Sequence, residues 1–174
     1  MVTNSKEYWK LLYSFQDKNT EFAERPVPSD EPIYNIDLNA RTVEAPKYMG
    51  VINDAQAECV YFRCPRYFDS MDLTLTTCLI LYRNAGGEER MYPVPFYDNI
   101  TEAEEGNILI PWIIRGDVTR HPGPIEFAIR FYAIDADNLE FIYNLNTLPA
   151  TSEVQDSITI EDTTDYSYAA DFIT

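Results

Sequence analysis

The chain has 174 residues, 45% of them hydrophobic and 14% aromatic, and its 29 acidic against 13 basic residues leave a formal net charge of -16. This length suits one domain with appendages, because two domains would each have a thin core. The charge argues against nucleic acid and anionic membranes as partners, since both would repel the chain at long range.

The chain carries no predicted membrane or export signal. No stretch reaches the ~20 apolar residues of a spanning helix, and the N-terminus lacks the basic and then apolar order of a secretory signal. We therefore expect synthesis in the cytoplasm. Cys59, Cys64 and Cys78 lie in one short region without metal-binding spacing, so we expect reduced thiols that act as small core residues.

Residues 4–22 have the periodicity of an amphipathic helix. Asn4 and Glu7 resemble a capping box at its start. Apolar side chains recur at helical spacing and would form one stripe, made of Tyr8, Leu11, Leu12, Phe15 and Phe22. Two roles are open: the helix packs on its own domain, or it is an arm that docks on a neighbouring subunit.

Residues 24–32 hold three prolines and four charged residues, which predicts an extended linker. Beyond it, β-branched and aromatic runs alternate with Gly, Pro, Asn and Asp turns, a pattern typical of a β-sandwich. The predicted strands are residues 34–40, 48–52, 58–64, 75–82, 89–95, 107–114, 125–134 and 140–146.

Some runs also predict how a strand is placed. The alternation of apolar residues through 125–131 gives that strand one core face and one wetter face. Residues 107–114 are apolar on both faces and include Pro111, which cannot donate to a ladder, so this strand should lie near a sheet edge or bend. Turn residues at 84–87 and 135–138 predict two hairpins.

Residues 151–174 begin with a possible strand at 154–160 and then become acidic. Tyr166, Tyr168 and Phe172 argue against a purely solvating tail, so the segment either binds a partner in an assembly or is a frayed end. The predicted division is an arm and linker at 1–32, a β-sandwich at 33–150 and an acidic C-terminal segment at 151–174.

Candidate chemistry is sparse. His121 is the one histidine, in a turn-like run of proline and glycine, and no nucleophile or metalloprotease motif accompanies it. We therefore predict no enzyme activity, no catalytic residue and no cofactor. The carboxylate-rich loops 98–105 and 135–140 have two interpretations, a calcium site and solvated turns, and solvated turns are favoured because neither loop has EF-hand spacing.

The many tyrosines have two interpretations, a sugar- or protein-binding face or, more commonly, core and cross-strand packing. The residues concerned are Tyr61, Tyr67, Tyr82, Tyr92, Tyr97, Tyr132 and Tyr143. Trp112 separates the two interpretations, because an indole must be exposed to stack on a sugar ring.

Several runs together resemble a known family. They are YNIDLN at 34–39, YFR at 61–63, RYFD at 66–69, IPW at 110–112, GPIEFAIRF at 123–131 and YNLNTLP at 143–149. They resemble the N-terminal domain of phage baseplate upper proteins and related tail-fibre and virion proteins of phages infecting Firmicutes, over about residues 33–150. The resemblance implies an immunoglobulin-like antiparallel β-sandwich that serves as an attachment module, often in trimers or higher rings.

The resemblance therefore predicts a virion structural or adaptor protein whose partners are other virion proteins and copies of itself. The residues expected to bind partners are Tyr8, Leu12, Phe15, Tyr166, Tyr168 and Phe172. In the family the sandwich usually opens the chain, whereas here a helix and linker precede it, an order that also suits a collar, neck or head-decoration protein. The alternatives are a receptor- or carbohydrate-binding module of a phage fibre and, less favoured, a glycan hydrolase with a facing acid pair.

Overall fold

The computed structural model describes residue 10 and residues 31–94 and 106–158, and every structural statement below concerns these residues. Residues 31–94 and 106–158 form an all-β structure in a sandwich-like arrangement. Its strands are β1 (Ile33–Asp37), β2 (Thr42–Val43), β3 (Tyr48–Val51), β4 (Cys59–Pro65), β5 (Tyr67–Phe68), β6 (Met71–Asp72), β7 (Thr77–Arg83), β8 (Glu89–Val94), β9 (Asn107–Ile113), β10 (Gly123–Ile134), β11 (Phe141–Asn146) and β12 (Ala150–Gln155), with a 3-10 helical turn at Leu73–Leu75.

The strands form two main sheets and one small hairpin. The smaller main sheet has the order β2-β1-β4-β9, and the larger has the order β3-β12-β10-β7-β8, with β11 also pairing with β10. Strands β5 and β6 pair with each other between β4 and β7. The long strand β10 lies at the centre of the larger sheet. Along one of its edges the first half pairs with β12 and the second half pairs with β11, and along its other edge it pairs with β7.

The core lies between the two main sheets and is rich in aromatic rings. The ring of Phe127 lies 5.6 Å from that of Phe62 and 5.2 Å from that of Trp112. Apolar residues of β10 that alternate along the strand all face this core, as predicted, and they are Ile125, Phe127, Ile129 and Phe131. Glu126, between them, is exposed.

The expectation of a purely antiparallel sandwich is only partly met. Strand β1 runs parallel to β4, and β3 runs parallel to β12. Parallel neighbours need a long connection, and the chain supplies it by visiting β2 and then β3 in the other sheet between β1 and β4.

The predicted edge position of β9 is confirmed, since β9 is the last strand of the smaller sheet and Pro111 lies opposite Tyr61 of β4. Both predicted hairpins are also present. The backbone N–H of Asn84 donates to the Glu88 carbonyl at 2.9 Å in the β7–β8 turn, and that of Asp135 donates to the Glu140 carbonyl at 2.9 Å in the β10–β11 turn.

The last described strand, β12, lies mostly in the predicted C-terminal segment of residues 151–174. Strand β12 starts at Ala150, four residues before the predicted strand at 154–160, and it pairs with β10 and β3. The sequence of β12 is mostly polar, so its alternation of buried and exposed residues could not be seen as an apolar pattern. The buried Ser152 satisfies its hydroxyl by donating to the Pro46 carbonyl at 2.7 Å. The predicted helix at 4–22, apart from Lys10, and residues 159–174 lie outside the described residues.

Candidate interaction surfaces

The residues predicted to bind partners all lie outside the described part of the chain. They are Tyr8, Leu12, Phe15, Tyr166, Tyr168 and Phe172. Their role in partner binding therefore stays a prediction.

Asn84 is a buried polar link between the β7–β8 turn and the following loops. Its side-chain oxygen accepts hydrogen bonds from the backbone N–H groups of Gly86 (3.1 Å) and Glu88 (2.9 Å). Its amide nitrogen donates to the Glu88 carboxylate at 3.0 Å and to the Asp117 carbonyl at 2.9 Å. One side chain thus closes the turn and fastens it to the loop after β9.

His121 and its neighbours make structural contacts around the same turn. Arg120 donates to the Glu88 carboxylate at 2.9 Å, and His121 Nε2 lies 3.5 Å from the same carboxylate. The hydrogen bond from Asn84, followed by the nearby Arg120 charge, lowers the pKa of Glu88. The imidazole also covers Gly86, where an added Cβ would lie 2.3 Å from His121 Cδ2. These contacts hold two loops together.

The carboxylate-rich loop at 135–140 uses its oxygens to stabilise its own turn. The Asp135 carboxylate accepts from the Asp137 N–H at 2.8 Å, and the Asn138 side-chain oxygen accepts from the Glu140 N–H at 3.0 Å. Within the described ranges no group of three or more His, Cys, Asp or Glu residues is placed to hold a metal ion. The loop at 98–105 lies outside those ranges.

Most of the described tyrosines, and Trp112, fill the interior. Trp112 is 0% exposed and packs between the rings of Tyr82 (5.5 Å) and Phe127 (5.2 Å), so it cannot stack on a sugar. The buried tyrosines are Tyr61, Tyr82, Tyr92 and Tyr132. Tyr143 is half-buried and Tyr67 is exposed. The commoner interpretation, packing, therefore holds for the buried set, and Tyr97 lies outside the described residues.

The cysteines are free thiols, and two of them are core residues as predicted. Burial raises the pKa of Cys64 to about 12, and it raises the pKa of Cys78 as well. A thiol with so high a pKa is unreactive at neutral pH, because the thiolate is the nucleophile. Cys59 is only half-buried, and it alternates with the core-facing Val60 of β4.

The smaller sheet has an apolar face turned away from the core, which we call the outer small-sheet face. It is made of Ile33, Cys59, Tyr61, Leu109 and Pro111. Ile33 lies opposite Tyr61 across β1 and β4, and Tyr61 lies opposite Pro111 across β4 and β9, so the three form one row. Tyr61 is 3% and Leu109 0% exposed, although they alternate with core-facing residues.

The larger sheet is divided on its outer face. At one end Arg83 pairs with Glu126 at 3.2 Å and with Glu89 at 3.5 Å, on exposed side chains. At the other end an apolar cluster is formed by Leu79, Tyr132 and Ile134, with Leu81, Met91, Leu139 and Phe141 packed against it. Each sheet therefore carries apolar residues on both of its faces.

Large apolar side chains are also exposed around the β5–β6 hairpin and the β11–β12 connection, and we call them the exposed apolar set. They are Tyr67 (56% exposed), Leu75 (75%), Ile142 (70%) and Leu148 (56%). Arg41 connects the two regions, because its guanidinium lies 5.4 Å from the Phe68 ring centre and its carbonyl accepts from the Leu148 N–H at 2.8 Å.

The β5–β6 hairpin is fixed by an ion pair at its base. The Arg66 guanidinium donates to both oxygens of Asp72 at 3.1 Å, and the Thr74 hydroxyl donates to the same carboxylate at 2.7 Å. The hydrogen bonds from Arg66 and Thr74 lower the pKa of Asp72 from 3.8 to about 2. The carboxylate is therefore ionised at neutral pH and holds the hairpin in place.

Comparison with known proteins gave likenesses to solved structures but no family. No family model matches the chain, and no curated protein matches it. The chain is similar to the solved N-terminal domain of phage TP901-1 ORF48, with a TM-score of 0.45 and 9% sequence identity, covering 71% of this chain and 96% of that one. In the described residues no helix is long and apolar enough to cross a membrane.

Proposed function

We propose that this protein is a structural or adaptor component of a bacteriophage virion, placed in the baseplate, the tail-fibre attachment, the collar or the head decoration. It acts by protein–protein assembly and not by turnover. The observation that carries the proposal is the exposed apolar set, because large exposed apolar groups mark protein-binding surfaces. The sequence resemblance over residues 33–150 supports the choice of a virion.

The finer parts of the proposal follow the same resemblance. The sandwich is of the immunoglobulin-like type with a short N-terminal helical arm, and the protein forms a trimer or a higher ring. Its partners are other virion proteins, with Tyr166, Tyr168 and Phe172 among the contact residues. Its net charge of -16 disfavours nucleic acid and anionic membranes as partners. The protein is made in the cytoplasm of the host bacterium and becomes part of the particle.

Incorporation into particles tests the proposal. A tagged chain and a Tyr67→Ser/Leu75→Ser variant are supplied in infected cells, and gradient-purified particles are probed for the tag. We expect the unsubstituted chain to be incorporated and the variant to be strongly depleted, because each buried apolar side chain contributes about 2 kcal/mol to an interface. A matched control, Ser157→Ala, changes a residue that is exposed and polar and should be incorporated normally. Recovery of the unsubstituted chain in the lysate but not in particles would overturn the proposal.

A receptor- or carbohydrate-binding module is the second candidate, and the exposed ring of Tyr67 is the observation that favours it. Glycan-array binding that Tyr67→Ala abolishes without lowering the melting temperature would support this candidate. Binding that is absent, or unchanged by the substitution, would reject it. No observation on the described residues favours a glycan hydrolase.

A further inference from the structure

The outer small-sheet face is more deeply buried than its described neighbours explain. Leu109 is 0% and Tyr61 3% exposed, and the described apolar residues that pack on them are Ile33 and Cys59. Those two residues belong to β1 and β4 of the same sheet. Neighbours within one sheet shield only the sides of a side chain, so complete burial requires a second layer above the sheet.

The N-terminal segment is the part of the chain best placed to supply this layer. It joins the described residues directly before β1, and Ile33, the first residue of β1, belongs to the outer small-sheet face itself. A helix over residues 4–22 would be about 28 Å long. The linker of residues 23–32 can span roughly 30 Å, whereas the outermost strands of this sheet are only about 14 Å apart. The segment can therefore reach every residue of the face.

Charge also favours this segment over the two other parts of the chain that are outside the described residues. Residues 95–105 contain Asp98, Glu102, Glu104 and Glu105, and residues 159–174 contain Glu161, Asp162, Asp165 and Asp171. Burying such carboxylates on an apolar face without partners is costly. The predicted stripe of Tyr8, Leu11, Leu12 and Phe15 carries no charge. Lys10, between the stripe positions, is helical and exposed, as this orientation requires.

We propose that the N-terminal segment folds back on its own chain, and that the stripe of Tyr8, Leu11, Leu12 and Phe15 covers the outer small-sheet face as an outer layer of the sandwich. The short tether favours the same chain, because it gives the segment a millimolar effective concentration at this face. The inference decides between the two roles left open for the helix and does not rest on the virion proposal.

Cys59 is a native reporter for this contact. It is half-buried on the face, whereas Cys64 and Cys78 are buried in the core with raised pKa values and report whether the sandwich stays folded. The rate at which a maleimide labels Cys59 is measured by mass spectrometry in the full chain and in a Leu12→Glu/Phe15→Glu variant. The matched control is Lys10→Glu, which makes the same change of two charge units on the exposed side of the segment.

We expect the double variant to label Cys59 about tenfold faster, with Cys64 and Cys78 still protected, and the control to match the unsubstituted chain. An unchanged Cys59 rate in the double variant would overturn the inference. Faster labelling on removal of residues 159–174 would assign the cover to the C-terminal segment and would also overturn it. Protection that is lost on dilution would assign the cover to a second copy and contradict the same-chain contact. If the double variant exposes all three thiols, single variants at Leu12 and Phe15 repeat the comparison.

Discussion

The side chain of Thr147 supplies a hydrogen-bond acceptor to the backbone of β10. Strand β10 changes partners between β11 and β12, and at that point the Ile129 N–H donates to the Thr147 hydroxyl at 2.9 Å while the Ile129 carbonyl accepts from the Thr147 N–H at 2.9 Å. Thr147 is buried. Its hydroxyl therefore replaces the backbone acceptor that a continuous strand would have supplied.

Thr147→Val keeps the shape of the side chain but removes this acceptor. We expect a loss of about 1–3 kcal/mol in the free energy of unfolding, because a buried N–H is left without a partner. Thr147→Ser keeps the hydroxyl and should cost about 1 kcal/mol or less. Urea unfolding of the three proteins measures the order, and a serine variant as unstable as the valine variant would contradict the account.

Asp72 makes a pH-dependent contribution to stability. Because its pKa is lowered to about 2 in the folded chain, its stabilisation is present above the ordinary carboxyl pKa of 3.8 and is lost as the pH falls through about 2. Asp72→Asn should therefore melt a few degrees lower than the unsubstituted chain at pH 7. The difference should shrink between pH 4 and pH 2. Thermal melts across this range test the prediction, and a difference that does not change with pH would refute it.

At the level of elements, the β5–β6 hairpin has a strained turn. Asp69 and Ser70 form its two-residue loop with φ values of 47° and 65°, in the left-handed region that favours glycine. This is the backbone sign of a type I′ turn, in which glycine is preferred at the second position. The turn holds Tyr67 of the exposed apolar set next to Arg66 and Asp72.

Ser70→Gly should stabilise this hairpin, since Ser70 is exposed and its left-handed conformation is costly for a residue with a Cβ. We expect a gain of about 0.5–1 kcal/mol in the free energy of unfolding. Ser70→Ala keeps the Cβ and should give no gain. Equal melting temperatures for the glycine and alanine variants would show that the turn is not strained.

The long, strongly patterned strands could be predicted from the sequence, and the short or polar ones could not. Strand β10 shows its core face directly through Ile125, Phe127 and Ile129. In contrast, β2, β5 and β6 have two residues each, too few for any periodicity. Strand β12 buries Ser152, whose hydrogen bond to Pro46 depends on a loop about a hundred residues away in sequence. The parallel pairing of β1 with β4 and of β3 with β12 could not be predicted either, because it depends on which sheet the intervening strands join.

The candidate surfaces were harder to predict than the strands. The outer small-sheet face shows in the sequence as the apolar run of β9, but the run does not say which face meets the core. The sequence did not indicate the exposed apolar set, since Tyr67 of β5 and Leu75 of the 3-10 turn cannot be told from core residues by residue type alone. Trp112 shows the opposite case, because the structure buries an indole that the sequence offered for stacking on a sugar ring.

At the scale of the whole molecule, the sandwich combines the exposed apolar set with a net charge of -16. The charge keeps free copies apart and soluble at long range, while short-range apolar contacts favour assembly once the surfaces meet. We therefore expect self-association and partner binding to strengthen with rising salt concentration. Light scattering at several ionic strengths measures this, and association that weakens as salt is added would contradict it.

The central claim, that this chain is built into a virion, is tested most directly by its copy number in purified phage particles. Quantitative mass spectrometry of gradient-purified particles gives the ratio of this chain to a capsid protein. We predict a fixed ratio that corresponds to a whole number of trimers or higher rings per particle and repeats between preparations. Absence of the chain from the particles, or a ratio that varies from one preparation to the next, would contradict the account.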